Sequence, residues 1–182
     1  MSLFWEKGYE AAGLAELLEH MGIGRQSLYN TFGDKQSLFK EALSHYHDTR
    51  ISGLVQLIDD NSSPLEGVRA VLRMYESHNT SGNELGCLIV NTAAESGTLN
   101  AELKTILREM IKKLETTFKK ALVKAREMRE LRSDTDTRAL ARLLVSTTFS
   151  TSLMGRVGVS KSMVADVIRM NQKMLDTYAT RR

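Results

Sequence analysis

Glycines at 8, 13, 22, 24 and 33 divide the start of the chain into pieces that only short helices can fill. One apolar-periodic segment runs from about Gly13 to Met21, with Leu14, Leu17, Leu18 and Met21 on one face. Gly22 suits a turn that needs positive φ. A second segment runs from about Gly24 to Asn30, anchored inward by Ile23, Leu28 and Phe32. The outward side of this second helix carries Arg25, Gln26, Ser27, Tyr29 and Asn30, and Lys35 follows just after. Two short helices around a tight turn, the second rich in forked and amide donors, suit a helix that lies in a DNA groove. The preceding SLFWEKG reads as the last turns of a helix whose beginning is missing, with Gly8 as its stop.

The remainder predicts helices only. The sequence has a single proline, and long amphipathic runs dominate. Asp34 is placed to cap a helix over Lys35 to about Asp59, with Leu38, Ala42 and Tyr46 facing one way and Leu54, Val55 and Ile58 forming a stripe at its far end. Ser63-Pro64-Leu65-Glu66 is a capping box with proline at the first helical position, so a helix starts there and runs to about Asn79. Ser81-Gly82-Asn83 reads as a loop, and Leu85 to Glu95 as a short buried helix. Asn100 caps an amphipathic helix expected to reach about Arg132. Its outer face carries Lys112, Lys113, Lys119, Lys120 and Lys124, read as a solvated face with a second DNA contact as the alternative. Ser133 or Asp134 is expected to cap the penultimate helix, and Ser160 the last. Leu140, Leu143, Leu144 and Leu153 face a stripe of Met163, Val164, Val167, Ile168, Met174, Leu175 and Tyr178. Such faces suit an intersubunit four-helix bundle, or packing within one chain. The fold class expected is all-α: a helix-turn-helix head over residues 1–46 and a larger helical ligand-binding and dimerisation domain over 47–182.

Net charge of +3 is compatible with a DNA partner without arguing for one. The lone Cys87 excludes an intramolecular disulfide framework and fits a reducing compartment. No apolar run approaches the roughly 18 residues of a membrane helix, and no signal pattern opens the chain, so the cytoplasm is expected. An enzyme is not expected. His45 and His47 are two apart and point away from each other on a helix. The pairs Glu16–His20 and Glu41–His45 lack the Glu-x-x-His pattern of di-iron bundles. No nucleophile elbow or glycine-rich phosphate loop occurs. No catalytic residue, metal site or cofactor is assigned.

Gly8-Tyr9-Glu10-Ala11, Leu17, Gly22-Ile23, Ser27-Leu28-Tyr29, Phe32, Lys35 and Leu38 together resemble, in residues and spacing, the DNA-binding region of the tetracycline-repressor (TetR) family. The rest resembles the family in layout, and the GCLIVNTAAE run from Gly86 resembles a segment of one branch. There are departures. The family's first helix is represented by its final turns, Ala12 and Gly13 replace hydroxyl residues, Gly24 replaces a Ser or Thr cap, and Leu18 is bulkier than usual. The resemblance implies a homodimer on a palindromic operator in double-stranded DNA, released by an unknown small-molecule effector. It implies that Arg25 and Gln26 read bases, as the chemistry of a guanidinium fork and an amide permits. Ser27 and Asn30 would reach a base edge or a phosphate. Tyr29 and Lys35 would hold phosphates, and Thr31 would touch backbone. Met74, Tyr75, His78, Cys87, Asn91 and Phe118 are expected to line the effector cavity, with plain core packing as the alternative. Cys87 is either a reactive sensor or a small buried hydrophobe. A competing reading is a helical ligand-binding or interaction module that has lost DNA binding.

Overall fold

The computed structural model describes residues 1–81, 85–95, 97 and 99–180. Nine helices are found among them: α1 (Ser2–Ala11), α2 (Leu14–Met21), α3 (Arg25–Phe32), α4 (Lys35–Asp59), α5 (Pro64–Thr80), α6 (Leu88–Ala94), α7 (Ala101–Glu127), α8 (Thr137–Val157) and α9 (Lys161–Tyr178). The helix starts follow their capping residues. Asp34 accepts from Ser37 N at 2.7 Å, Ser63 from Glu66 N at 3.1 Å, and Asn100 from Leu103 N at 3.0 Å. Ser160 does the same for Met163 N at 3.4 Å. These oxygens satisfy amides that the helix itself leaves unpaired. By contrast, α2 and α3 begin at Gly13 and Gly24 with no side-chain cap, so the head depends on packing to hold its helices.

Gly8 breaks α1 with φ 83° and ψ 176°, a region that L side chains avoid. A Cβ there would lie 2.1 Å from Glu95 Oε1. The backbone opened by this break lets Tyr9 N donate to Glu95 Oε2 at 3.1 Å, tying α1 to the end of α6. Gly22 turns at φ 66°, as its place between α2 and α3 requires.

Four expected boundaries shift. α7 stops at Glu127 rather than near Arg132, because Arg129 adopts φ 59° and turns the chain away. Leu131 then pairs with Ala179 in a single antiparallel bridge, and Arg132 N donates to Tyr178 O at 2.9 Å. The cap of α8 is Asp136, not Ser133 or Asp134: its carboxylate accepts from Arg138 N and Ala139 N, while Asp134 is held by Arg132. α6 covers Leu88–Ala94 rather than Leu85–Glu95, since Gly86 turns at φ 64° and Cys87 is extended. α3 runs two residues past Asn30, to Phe32. Of the expected loop, Ser81 closes α5, and Gly82 and Asn83 lie outside the described residues.

Two apolar cores are stacked along α4. The first joins the head to the larger domain: Leu3, Phe4, Leu17, Leu28, Leu38 and Phe39 pack in one cluster with Leu88, Leu103 and Leu107. Phe39 meets the rings of Phe4 and Tyr9, each at 4.8 Å. The second core gathers Leu54, Ile58, Val68, Leu72, Phe118, Leu122, Leu144 and Ile168. Not every expected stripe is buried. Met21 and Val55 are exposed, and on α8 and α9 the stripe divides. Leu140, Leu144, Val164, Ile168 and Leu175 are buried, whereas Leu143, Leu153, Met163 and Tyr178 remain exposed, together with Met170.

Candidate functional site

The recognition helix α3 is held from beneath and bare on top. Leu28 has no exposed surface, and Ile23 and Phe32 pack partly against the same core. Arg25, Gln26, Ser27, Tyr29, Asn30 and Thr31 are all exposed. Gln26 Nε2 donates to Asn30 Oδ1 at 2.8 Å, so two amides one turn apart are oriented together. Lys35 differs from these six. It is half-buried at the start of α4, its ammonium 4.8 Å from the centre of the Tyr9 ring and 3.3 Å from Glu10 O. It therefore fastens α4 to α1. On α7, Lys112, Lys113, Lys119, Lys120 and Lys124 are exposed, with Lys112 paired to Glu115 and Lys113 to Asp48.

A cavity of about 260 Å³ lies between the two cores, walled by α4, α5, α7 and α8, by the turn leading into α6 and by Ile89 of α6. Of the six residues expected to line it, Met74, Tyr75, His78 and Cys87 do so. Phe118 does not: it is 1% exposed within the second core. Asn91 does not either, because its side-chain amide turns back to Leu85 O at 2.8 Å. Sequence reasoning missed Tyr46 and Arg50, both on α4, along with His47, Met110, Thr148 and Phe149. A polar pair four residues apart on the helix joining the two domains was the available signal for Tyr46 and Arg50.

Burial, with the Cys87 side chain alongside, pushes the Tyr46 hydroxyl far above its ordinary range. Burial does the same to Tyr75. His78 is held below its ordinary value by burial and by the nearby Arg50 charge. Both phenols thus keep their protons and His78 is neutral at pH 7. His47 is buried, with Nε2 3.2 Å from Met110 O and Nδ1 3.1 Å from Asp48 Oδ1. Among the described residues no group of three or more His, Cys, Asp or Glu could hold a metal ion, and no helix is long and apolar enough to cross a membrane.

Trp5 links the head to the surroundings of the cavity. Trp5 Nε1 donates to Leu85 O at 3.0 Å, and Arg156 of α8 donates to the same oxygen at 3.0 Å. Trp5 also stands edge-on to Tyr46 at 5.0 Å.

Residues 64–170 match the family model for the tetracyclin repressor-like C-terminal domain, and residues 1–42 match that for the bacterial regulatory proteins of the tetR family. The chain is 30% identical over 178 residues to YezE, an uncharacterized HTH-type transcriptional regulator of Bacillus subtilis (strain 168), covering 97% of this chain and 92% of that protein. It is similar, at 31% identity and a TM-score of 0.83, to a cysteine mutant of the TetR family transcriptional regulator CifR solved with 26bp double-strand operator DNA; the match covers 94% of this chain and 90% of that one. A regulator from Cytophaga hutchinsonii has a TM-score of 0.88 at 20% identity, covering 99% of this chain and 90% of that one, a likeness of fold.

Proposed function

The chain belongs to the TetR family of DNA-binding transcriptional regulators, and from that premise we propose that it is a homodimeric repressor released from a palindromic operator by a small molecule in the cavity. The observation that carries this reading is the set of six polar side chains left exposed along α3 above a fully buried Leu28. In the reading, Arg25 forks to a guanine and Gln26 reads an adenine. Ser27 and Asn30 reach base edges or phosphates, Tyr29 holds a phosphate, and Thr31 touches the backbone. Lys35 presents its remaining N–H donors to a phosphate while keeping α1 in place.

The exposed Leu143, Leu153, Met163 and Met170 are large apolar groups on two adjacent helices, as a twofold bundle with a second copy requires. Two heads would then address major grooves about 34 Å apart on one face of the duplex. Met74, Tyr75, His78 and Cys87 face the effector, which shifts the heads only by its differential affinity for two head spacings. The test is selection of bound duplexes from a random library, followed by electrophoretic shift. An inverted repeat bound by a dimer is expected; no sequence-selective binding by the full chain would sink the reading.

A further inference from the structure

The charge lining the cavity is one-sided. Arg50 projects from α4 into the cavity wall, and among the described residues no aspartate or glutamate lines that wall. The guanidinium has aromatic neighbours: it lies 5.3 Å from the centre of the Tyr46 ring and 5.7 Å from that of Trp5. Its field reaches Tyr46, Tyr75 and His78. Among the described residues no carboxylate pairs with this partly buried guanidinium, and its planar fork is shaped for two parallel bonds to one. The other polar groups within the same wall suit an anion's oxygens, because the Tyr46 and Tyr75 hydroxyls remain protonated donors. The wall also holds His47, Thr49, His78, Thr148 and Ser152, and its apolar part, including Met74, Met110 and Phe149, suits a carbon body. Volume limits the body: a cavity of about 150 Å³ takes benzene, so about 260 Å³ takes one ring or a short chain with a polar head.

We propose that the cavity receives a small organic carboxylate with a single-ring or short-chain apolar body, its carboxylate paired with Arg50. This rests on the reading of the cavity as the effector site. An arriving carboxylate competes with the Trp5 and Tyr46 rings for the guanidinium. Trp5 belongs to the head, and it is the chain's one tryptophan. Capture of Arg50 therefore changes the surroundings of a residue on α1 without any contact between ligand and head.

The experiment is calorimetric titration of the full chain with benzoate and phenylacetate, each beside its neutral amide, with Trp5 fluorescence followed in parallel. The carboxylates are expected to bind on the order of tenfold or more tighter than the amides, as a charge-assisted pair predicts, and to change Trp5 emission. Arg50→Gln is expected to erase the preference, and Arg50→Lys to keep part of it, with unchanged circular dichroism showing that both fold. Amides binding as well as acids, neither class binding, or Arg50→Gln retaining the preference would each overturn the proposal. Electrophoretic shift of a selected duplex is run on the same samples. Intact DNA binding beside a failed titration removes the ligand class alone, whereas absent DNA binding removes the regulator reading and leaves the titration to judge the cavity.

Discussion

In the head, one eight-residue helix carries six of the seven side chains assigned to DNA, and all six are exposed. In the larger domain the cavity draws its wall from α4, α5, α6, α7 and α8 and the turn before α6, so its lining is spread along the chain from residue 46 to residue 152. The head presents a convex site, which a run of neighbouring residues can form. The cavity is concave, and tertiary packing decides which face of each helix borders it. A side chain's type says whether it suits a groove in DNA, but it does not say whether a Met or Phe borders a hollow or fills a core.

The largest test of that contrast is Phe118→Ala. As a core residue, Phe118 is expected to cost about 3–5 kcal/mol when truncated, read as a fall in the urea midpoint. A loss under about 1 kcal/mol would put its ring back on the cavity wall. Arg25→Ala should act at the other pole. It is expected to weaken DNA binding by about 1–3 kcal/mol and relax preference at one base position, with the melting temperature unmoved. A fall in melting temperature would show that α3 is not the bare surface described above.

Smaller effects probe how each region secures its helix starts. Ser63→Ala removes the cap of α5 and should cost about 1 kcal/mol of stability, measured by denaturant titration; no change would mean that Pro64 and packing alone set that start. The smallest effect is at Asp34, an exposed cap where the head meets α4. The backbone amide of Ser37 holds its carboxyl below the ordinary carboxylate range. Stability from a carboxyl depressed in this way is complete above its unfolded pKa and is lost as pH falls through the lower folded value. Melting curves recorded from neutral to strongly acidic pH should therefore show a decline that Asp34→Asn flattens, since asparagine caps without titrating. An unaltered decline would assign it to other carboxylates.

Legibility followed the same division. Capping residues act locally, so Asp34, Ser63, Asn100 and Ser160 each mark a true start, and the spacing around Leu28 marks the recognition helix. The end of α7 was hidden because a left-handed Arg129 leaves no mark in sequence; what holds it there is the distant pairing of Leu131 with Ala179. Asp136 rather than Asp134 caps α8 because Arg132 occupies Asp134. Tyr46 and Arg50 looked like ordinary members of a connecting helix, and only the approach of α5 to α8 gives them a hollow to face.

The Leu85 carbonyl has a consequence of its own. It receives N–H groups from Trp5, Asn91 and Arg156, one each from the first helix, the sixth and the eighth. An oxygen with two lone pairs cannot serve three donors equally well. The first, sixth and eighth helices are thus tied at a single shared atom.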